Sequence, residues 1–192
     1  MEEKYFAHPS SIIDAGAIIG DGTYIWHFCH VMPTAMIGKN CILGQNCFID
    51  NNVVIGNGVK IQNNVSVYNG VVLEDNVFVG PSVVFTNVMN PRSFIERKSE
   101  FKKTLIKRGS SLGANATIIC GNNIGEYSFI AAGSVVTKDV RPYSLVKGNP
   151  ARQTGWVSEY GNVLHFNNDM IAVCTESNQK YLLQKFKVSK IN

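Results

Sequence analysis

Residues 37–61 read IGKNCILGQNCFIDNNVVIGNGVKI, and the reading of this stretch decides the fold. Every sixth residue, Ile37, Leu43, Ile49, Ile55 and Ile61, is a large aliphatic. Four places after each stands a small or β-branched residue: Cys41, Cys47, Val53, Val59 and Val65. Turn residues such as Gly38-Lys39-Asn40, Asn51-Asn52 and Gly56-Asn57-Gly58 fill the gaps. Neither the period of a helix nor the alternation of a strand gives a strict repeat of six.

The series runs back through Val31, Ile25 and Ile19 to Ile13 and forward through Val67, Leu73 and Val79 to Phe85. It stops at Asn90 and resumes at Ile106, Leu112, Ile118, Ile124, Ile130 and Val136. Phe85 and Ile106 are 21 residues apart, which is not a multiple of six, so a segment of about 91–105 leaves the repeat as a loop. One hexad cannot bury its own aliphatic residue. Three hexads closing a triangular coil, with coils stacked about 4.8 Å apart, bury all of them along one axis. Nineteen hexads predict an all-β chain: a parallel β-helix of about six coils, spanning residues 1–140, with one ejected loop. Residues 141–166 (RPYSLVKGNPARQTGW onward, with Pro142 and Pro150) read as an extended cap, and 167–192 as a tail whose apolar runs flank Ser177-Asn178-Gln179 as a β-hairpin.

Charge is segregated along this frame. The chain has 192 residues and a formal net charge of +4. Residues 1–91 sum to −4, Arg92–Arg108 alone to +5, and the remainder to +3, so the basic segment is the ejected loop. Only 17% of residues are charged, below the roughly 25% of an ordinary soluble domain. Flat faces paired through their backbones account for that. No apolar run reaches the roughly 18 residues of a membrane span, and MEEKYFAHPSS is acidic where a signal peptide is basic, so the expectation is a cytoplasmic protein without a membrane partner. Five cysteines without a C-x-x-C pair argue against a disulfide frame or a zinc site. Cys29, Cys41 and Cys47 fall on the small-residue position and read as buried filler, whereas Cys120 falls at a turn and reads as more exposed.

A coil period of 18 says which side chains stack. Positions 51, 69 and 87 are all Asn, and positions 27, 45 and 63 are His, Gln and Asn. Asn tolerates the left-handed conformation and bonds its own backbone, so Asn51 reads as a turn ladder. Asn87 borders the ejected loop and is read as functional.

The terminal stretch IAAGSVVTKDV followed by VKGNPAR, together with the ejected loop, resembles the hexapeptide-repeat acyltransferases that use acetyl-CoA. That resemblance supplies the left-handed sense of the coil and implies a homotrimer with active sites between subunits. It also implies that Ala114, Ala132, Gly133 and Ser134 offer backbone groups to the pantetheine arm, while Lys138 and Arg152 meet phosphates. WHFCH, GQNCFI, IQNNVSVY, GPSVVFTNVMNPRS and LGANATIICG, taken together, look like the bacterial enzymes that acetylate the 3-amino group of UDP-2-acetamido-3-amino-2,3-dideoxy-D-glucuronate, an intermediate for surface polysaccharides such as lipopolysaccharide O-antigen. This second resemblance covers about residues 8–166.

From it follow the expected roles. Asn87 would hold the attacking amine or the developing oxyanion, and His27 would contact substrate or serve as a secondary base; the ejected loop contains no His. Asn63, Asn64 and Tyr68 would contact sugar and uridine, and Arg92, with Glu96 and Arg97, would face the carboxylate or phosphates. The alternative acceptor is a dTDP-3-amino-3,6-dideoxyhexose, which lacks the carboxylate. Among other classes, a γ-type carbonic anhydrase needs three zinc-binding His, and only His27 and His30 lie in the coils. A non-catalytic ice-binding or scaffold prism needs a Thr or aromatic ladder, which is missing, and Phe94 and Phe101 are the loop's only stacking residues for a nucleic acid. No metal is expected, and acetyl-CoA is the expected cosubstrate.

Overall fold

A computed structural model of the chain describes residues 5–191. Each hexad folds as a two-residue strand and a turn, as in Ile42–Leu43, Phe48–Ile49 and Val54–Ile55. The periodic aliphatic is the second strand residue and points inward: Leu43 and Ile49 are completely buried. The small residue four places on closes the corner, also buried, and its carbonyl accepts an N–H from the adjacent coil, as Cys47 does from His30. The strands thus satisfy their backbones through neighbouring coils, while some corners add a local bond, as the Val53 N–H does to the Asp50 carbonyl.

Three parallel sheets result. The first face runs from Phe6–Ala7 to Ser144–Lys147, the second from Ile12–Ile13 to Val135–Val136, and the third from Ile18–Ile19 to Asn123–Ile124. They hold eight, seven and six parallel strands, which makes about seven coils rather than six. The additions lie at the ends, where the repeat is disguised: Ala7 is small at a large position, and Ser144–Lys147, which pairs with Phe129–Ile130, comes after the six-residue phase is lost, Val140 bridging Ile124 only four residues past Val136. Pairing keeps the 18-residue period below the loop (Phe48 with Ser66) and above it (Ser111 with Phe129), while Phe78 pairs with Ser111 across it. The fifteen residues by which that step exceeds the period are the ejected loop, confirming the break in the repeat. It leaves after Asn87 and returns at Lys102, whose N–H donates to the Asn87 carbonyl at 2.9 Å.

Ser144–Lys147 turns back antiparallel into Arg152–Trp156, closing the coil stack. The tail is more than a hairpin: Ile171–Val173, Lys180–Gln184 and Lys187–Ile191 form a three-stranded antiparallel sheet. Lys185 and Phe186, both left-handed, make the second turn without the Gly or Asn that usually announces one. A separate small core of Tyr143, Leu164, Ala172, Cys174, Tyr181 and Val188 holds this sheet to the cap. Among the described residues no helix is long and apolar enough to cross a membrane.

Candidate active site

The corner between the first and second faces carries a ladder of left-handed residues: Phe28, Asn46, Asn64, Ser82, Asn115 and Gly133. Asn64 belongs to this ladder, and Asn63 precedes it on the same corner. The Asn63 side-chain carbonyl accepts the Gln45 N–H at 2.8 Å, and that of Asn64 accepts from the Asn46 amide at 3.1 Å. Their oxygens are committed to holding coils together, which leaves their side-chain N–H groups for the expected contacts to sugar and uridine. His27 sits lower on the same corner, stacked on His8 with ring centroids 3.6 Å apart. It lies across the second face from Asn87 and three coils toward the N-terminus, so within one chain it is not a base for chemistry at Asn87.

Asn87 occupies the corner between the second and third faces, at the root of the loop. Asn51, lower on that corner, is tied to Thr34 through its carbonyl at 3.1 Å. The Asn87 side chain, half-buried, makes no hydrogen bond among the described residues. An amide without an internal partner beside a basic loop is a group available to a ligand. Tyr68 ends a strand of the second face one coil below, its ring 6.2 Å from that of Phe48. Arg92 is exposed, and among the described residues its guanidinium bonds only its neighbour's carbonyl, that of Pro91. Arg97 is already engaged, its Nη1 2.7 Å from one Glu100 carboxylate oxygen and 2.9 Å from the other, and Glu96 pairs with Lys98. Of the loop residues expected at an anionic substrate, Arg92 is the one not spent on an internal ion pair.

The upper end of the second face carries the expected cosubstrate residues. Gly133 is exposed in the left-handed region, and a Cβ there would meet nothing within 4 Å. Its N–H donates to the Ala114 carbonyl, and Ala132 beside it is exposed. Ser134 is different: it is fully buried, its hydroxyl accepts the Gly148 N–H, and its amide and carbonyl are paired within the coils. It holds the cap in place and offers nothing to a ligand, contrary to expectation. Lys138 and Arg152 line a cavity of about 480 Å³ between the last coil and the cap, together with Arg141 and Asp139 over a floor of Val136, Val140 and Val146. Three cations against one carboxylate suit a diphosphate.

Two features escaped the sequence reading. His30 and Asp14 form a pair on the outer side of the second face, Nε2 to Oδ2 3.0 Å. Cys120 is buried, at 2% exposure, because its N–H is held by the Thr86 hydroxyl and the Lys102 side chain folds against Gly121 beside it. The cysteines at positions 29, 41 and 47 are buried as expected. Among the described residues no group of three or more His, Cys, Asp or Glu is placed to hold a metal ion.

The sequence matches the bacterial transferase hexapeptide family (six repeats) over residues 8–51 and 52–87, and the hexapeptide repeat of succinyl-transferase over residues 108–138. A curated relative, the dTDP-3-amino-3,6-dideoxy-alpha-D-galactopyranose 3-N-acetyltransferase of Aneurinibacillus thermoaerophilus, is 49% identical over 172 residues, which cover 90% of this chain and 88% of the relative. Among solved structures, a hexapeptide transferase family protein from Anaplasma phagocytophilum shares the fold with a TM-score of 0.56 at 21% identity, over 82% of this chain and 85% of that one. The acetyltransferase domain of PglB from Neisseria gonorrhoeae FA1090, solved in complex with acetyl coenzyme A, shares it with a TM-score of 0.53 at 21% identity; the match covers 79% of this chain and 58% of that one. With a relative this similar along nearly its whole length, and with the repeat visible coil by coil, the chain belongs to the bacterial hexapeptide-repeat transferases.

Proposed function

We propose that the protein transfers an acetyl group from acetyl-CoA to the 3-amino group of a nucleotide-linked amino sugar, with a dTDP-3-amino-3,6-dideoxyhexose as the preferred acceptor. The observation that carries the reading is Asn87, an unpartnered amide at the root of the ejected loop, on the edge of the face whose upper end is open at Gly133. The acceptor follows from the 49% identical relative.

The chemistry asked of the chain is modest. A sugar amine is less basic than a lysine, so a neutral fraction exists near pH 7, and holding it against the thioester carbonyl replaces a costly encounter. As the carbonyl becomes tetrahedral, the Asn87 side-chain N–H donates to the oxyanion. The adduct's ammonium proton leaves to water as the CoA thiolate departs. No loop His takes part, and His27 lies on the far edge of the face. Gly133, Ala132 and the Ala114 turn leave room for the pantetheine arm, and Lys138, Arg141 and Arg152 face its phosphates. Closure of this site by a neighbouring copy in a homotrimer belongs to the same reading.

Arg92 favours a second reading. Exposed on the loop that leaves after Asn87 and free of any internal carboxylate among the described residues, it suits a C6 carboxylate, as in a UDP-linked 3-amino-glucuronate. The test compares kcat/KM for a 6-deoxy acceptor and its uronate analogue in wild type and Arg92→Ala. A preference for the 6-deoxy sugar that Arg92→Ala leaves unchanged supports the first reading; a uronate preference abolished by the substitution replaces it with the second.

A further inference from the structure

We infer that the outer side of the second face below Asn87 seats the base of the acceptor's nucleotide, and that His30, oriented by Asp14, reads the imide N3–H of uracil or thymine. The inference rests on the nucleotide-sugar reading above.

The geometry is a track. His30 pairs with Phe48, Phe48 with Ser66, and Ser66 with Val84 in successive coils. Three steps place His30 about 14 Å below the level of Asn87. That is the scale of an extended nucleoside diphosphate whose sugar amine sits at Asn87. Along the way the rings of Tyr68, Phe48 and His30 follow one another with centroids 6.2 and 5.8 Å apart. Ser66, with its small side chain, stands between Phe48 and Val84 in the column. The rings are inclined to one another by 58° and 69°, so a planar base stacks on one of them at a time, which any base can do because every base has a π face.

His30 adds the selectivity. Its Nε2 lies 3.0 Å from Asp14 Oδ2, and an ionised carboxylate accepts only, so Nε2 carries the hydrogen. In the neutral ring Nδ1 then holds a lone pair. Nδ1 has no partner among the described residues, and the side chain is 39% exposed. A lone pair at the end of a ring track accepts the N3–H that uracil and thymine share. Cytosine presents its own lone pair at N3 and is repelled. Asp14 is thus a positioning residue that fixes the tautomer.

The probes are UDP, N3-methyl-UDP and CDP, titrated calorimetrically into the full-length protein and into His30→Leu, with thermal unfolding followed in parallel. Wild type binds UDP about tenfold more tightly than either of the others, the size expected for one hydrogen bond whose loss leaves a partner unpaired. His30→Leu binds all three within about twofold of one another and unfolds near the wild-type temperature. Equal binding of the three nucleotides by wild type, no binding of any, or a preference surviving in folded His30→Leu overturns the inference. The N3-methyl comparison in wild type decides the matter if the variant fails to fold. A protein that keeps the imide preference but acetylates no nucleotide-linked amine overturns the proposed function instead; one that acetylates such amines without the preference overturns only the subsite.

Discussion

Replacing Asn87 by Ala separates chemistry from architecture at one residue. The substitution leaves the backbone carbonyl that accepts the Lys102 N–H at 2.9 Å, so the loop stays anchored. It removes a side-chain amide that bonds nothing else among the described residues, so the folded state loses no internal hydrogen bond. Stability is expected within about 0.5 kcal/mol of wild type, as for a surface site. Loss of one donor to a tetrahedral oxyanion costs roughly 10²–10³ in kcat, or about 3–4 kcal/mol of transition-state stabilisation. Asn51→Ala is the matched control. It lies lower on the same corner, but its carbonyl accepts from the Thr34 hydroxyl at 3.1 Å and the Thr34 N–H at 3.4 Å. It should lose about 0.5–1.5 kcal/mol of stability with kcat intact. Thiol release from acetyl-CoA measures kcat, and thermal denaturation measures stability. An Asn87→Ala enzyme within threefold of wild-type kcat, or one whose activity falls only in step with its melting temperature, refutes the assignment.

Other substitutions probe the frame around it. A Cβ at Gly44 would lie 2.8 Å from the Asn63 backbone nitrogen and 2.9 Å from the Gln62 carbonyl carbon, whereas one at Gly133 would meet nothing within 4 Å. Gly44→Ala should therefore lower the melting temperature strongly by prising coils apart, while Gly133→Ala should cost only the left-handed strain of about 1–2 kcal/mol and raise KM for acetyl-CoA; equal melting temperatures would contradict this. All five cysteines are buried, Cys120 and Cys174 included, so a thiol reagent should label none rapidly in native protein and all five in guanidinium. A fast-reacting native thiol would show that a coil or the tail opens. Burial, reinforced by the Glu159 carboxylate, pushes the Tyr143 phenol well above the ordinary tyrosine range. A raised folded-state value means that its contribution is complete below the unfolded value near 10 and fades as pH climbs toward the folded one. Melting temperature should hold to about pH 9 and decline beyond pH 10, less steeply in Tyr143→Phe; an identical slope in that variant would exclude Tyr143 as the cause.

The coils were legible because a solenoid repeats one local solution. Each of Ile37, Leu43 and Ile49 is buried by neighbours at fixed spacing, so a period read on paper becomes a stack in space. The ejected loop was legible for the same reason, as a break in phase. The ends were not: Ala7 and Val140 join the stack through backbone pairing that no large periodic side chain announces. The third tail strand was hidden because its turn uses Lys185 and Phe186 in the left-handed region.

The site divided along similar lines. Asn87 stood out by its position beside the loop and Gly133 through the family resemblance alone; the Asn87 amide has no internal partner among the described residues, and Gly133 faces open space. Asn63, Asn64 and Ser134 lie on the same repeat, and only the structure shows that their side-chain oxygens already serve the coils and the cap. His30 and Asp14 are sixteen residues apart, off the 18-residue column, so their contact depends on the diagonal reach of a histidine between adjacent coils.

Acetyl transfer itself is measured by incubating the protein with acetyl-CoA and a dTDP-3-amino-3,6-dideoxyhexose and locating the acetyl group in the product by NMR. The expected result is stoichiometric release of CoA thiol with the acetyl group on the 3-amino nitrogen, and no release when that nitrogen is replaced by a hydroxyl. Acetyl transfer to the 3-hydroxy sugar at a comparable rate, or no thiol release with any nucleotide-linked 3-amino sugar, would contradict it.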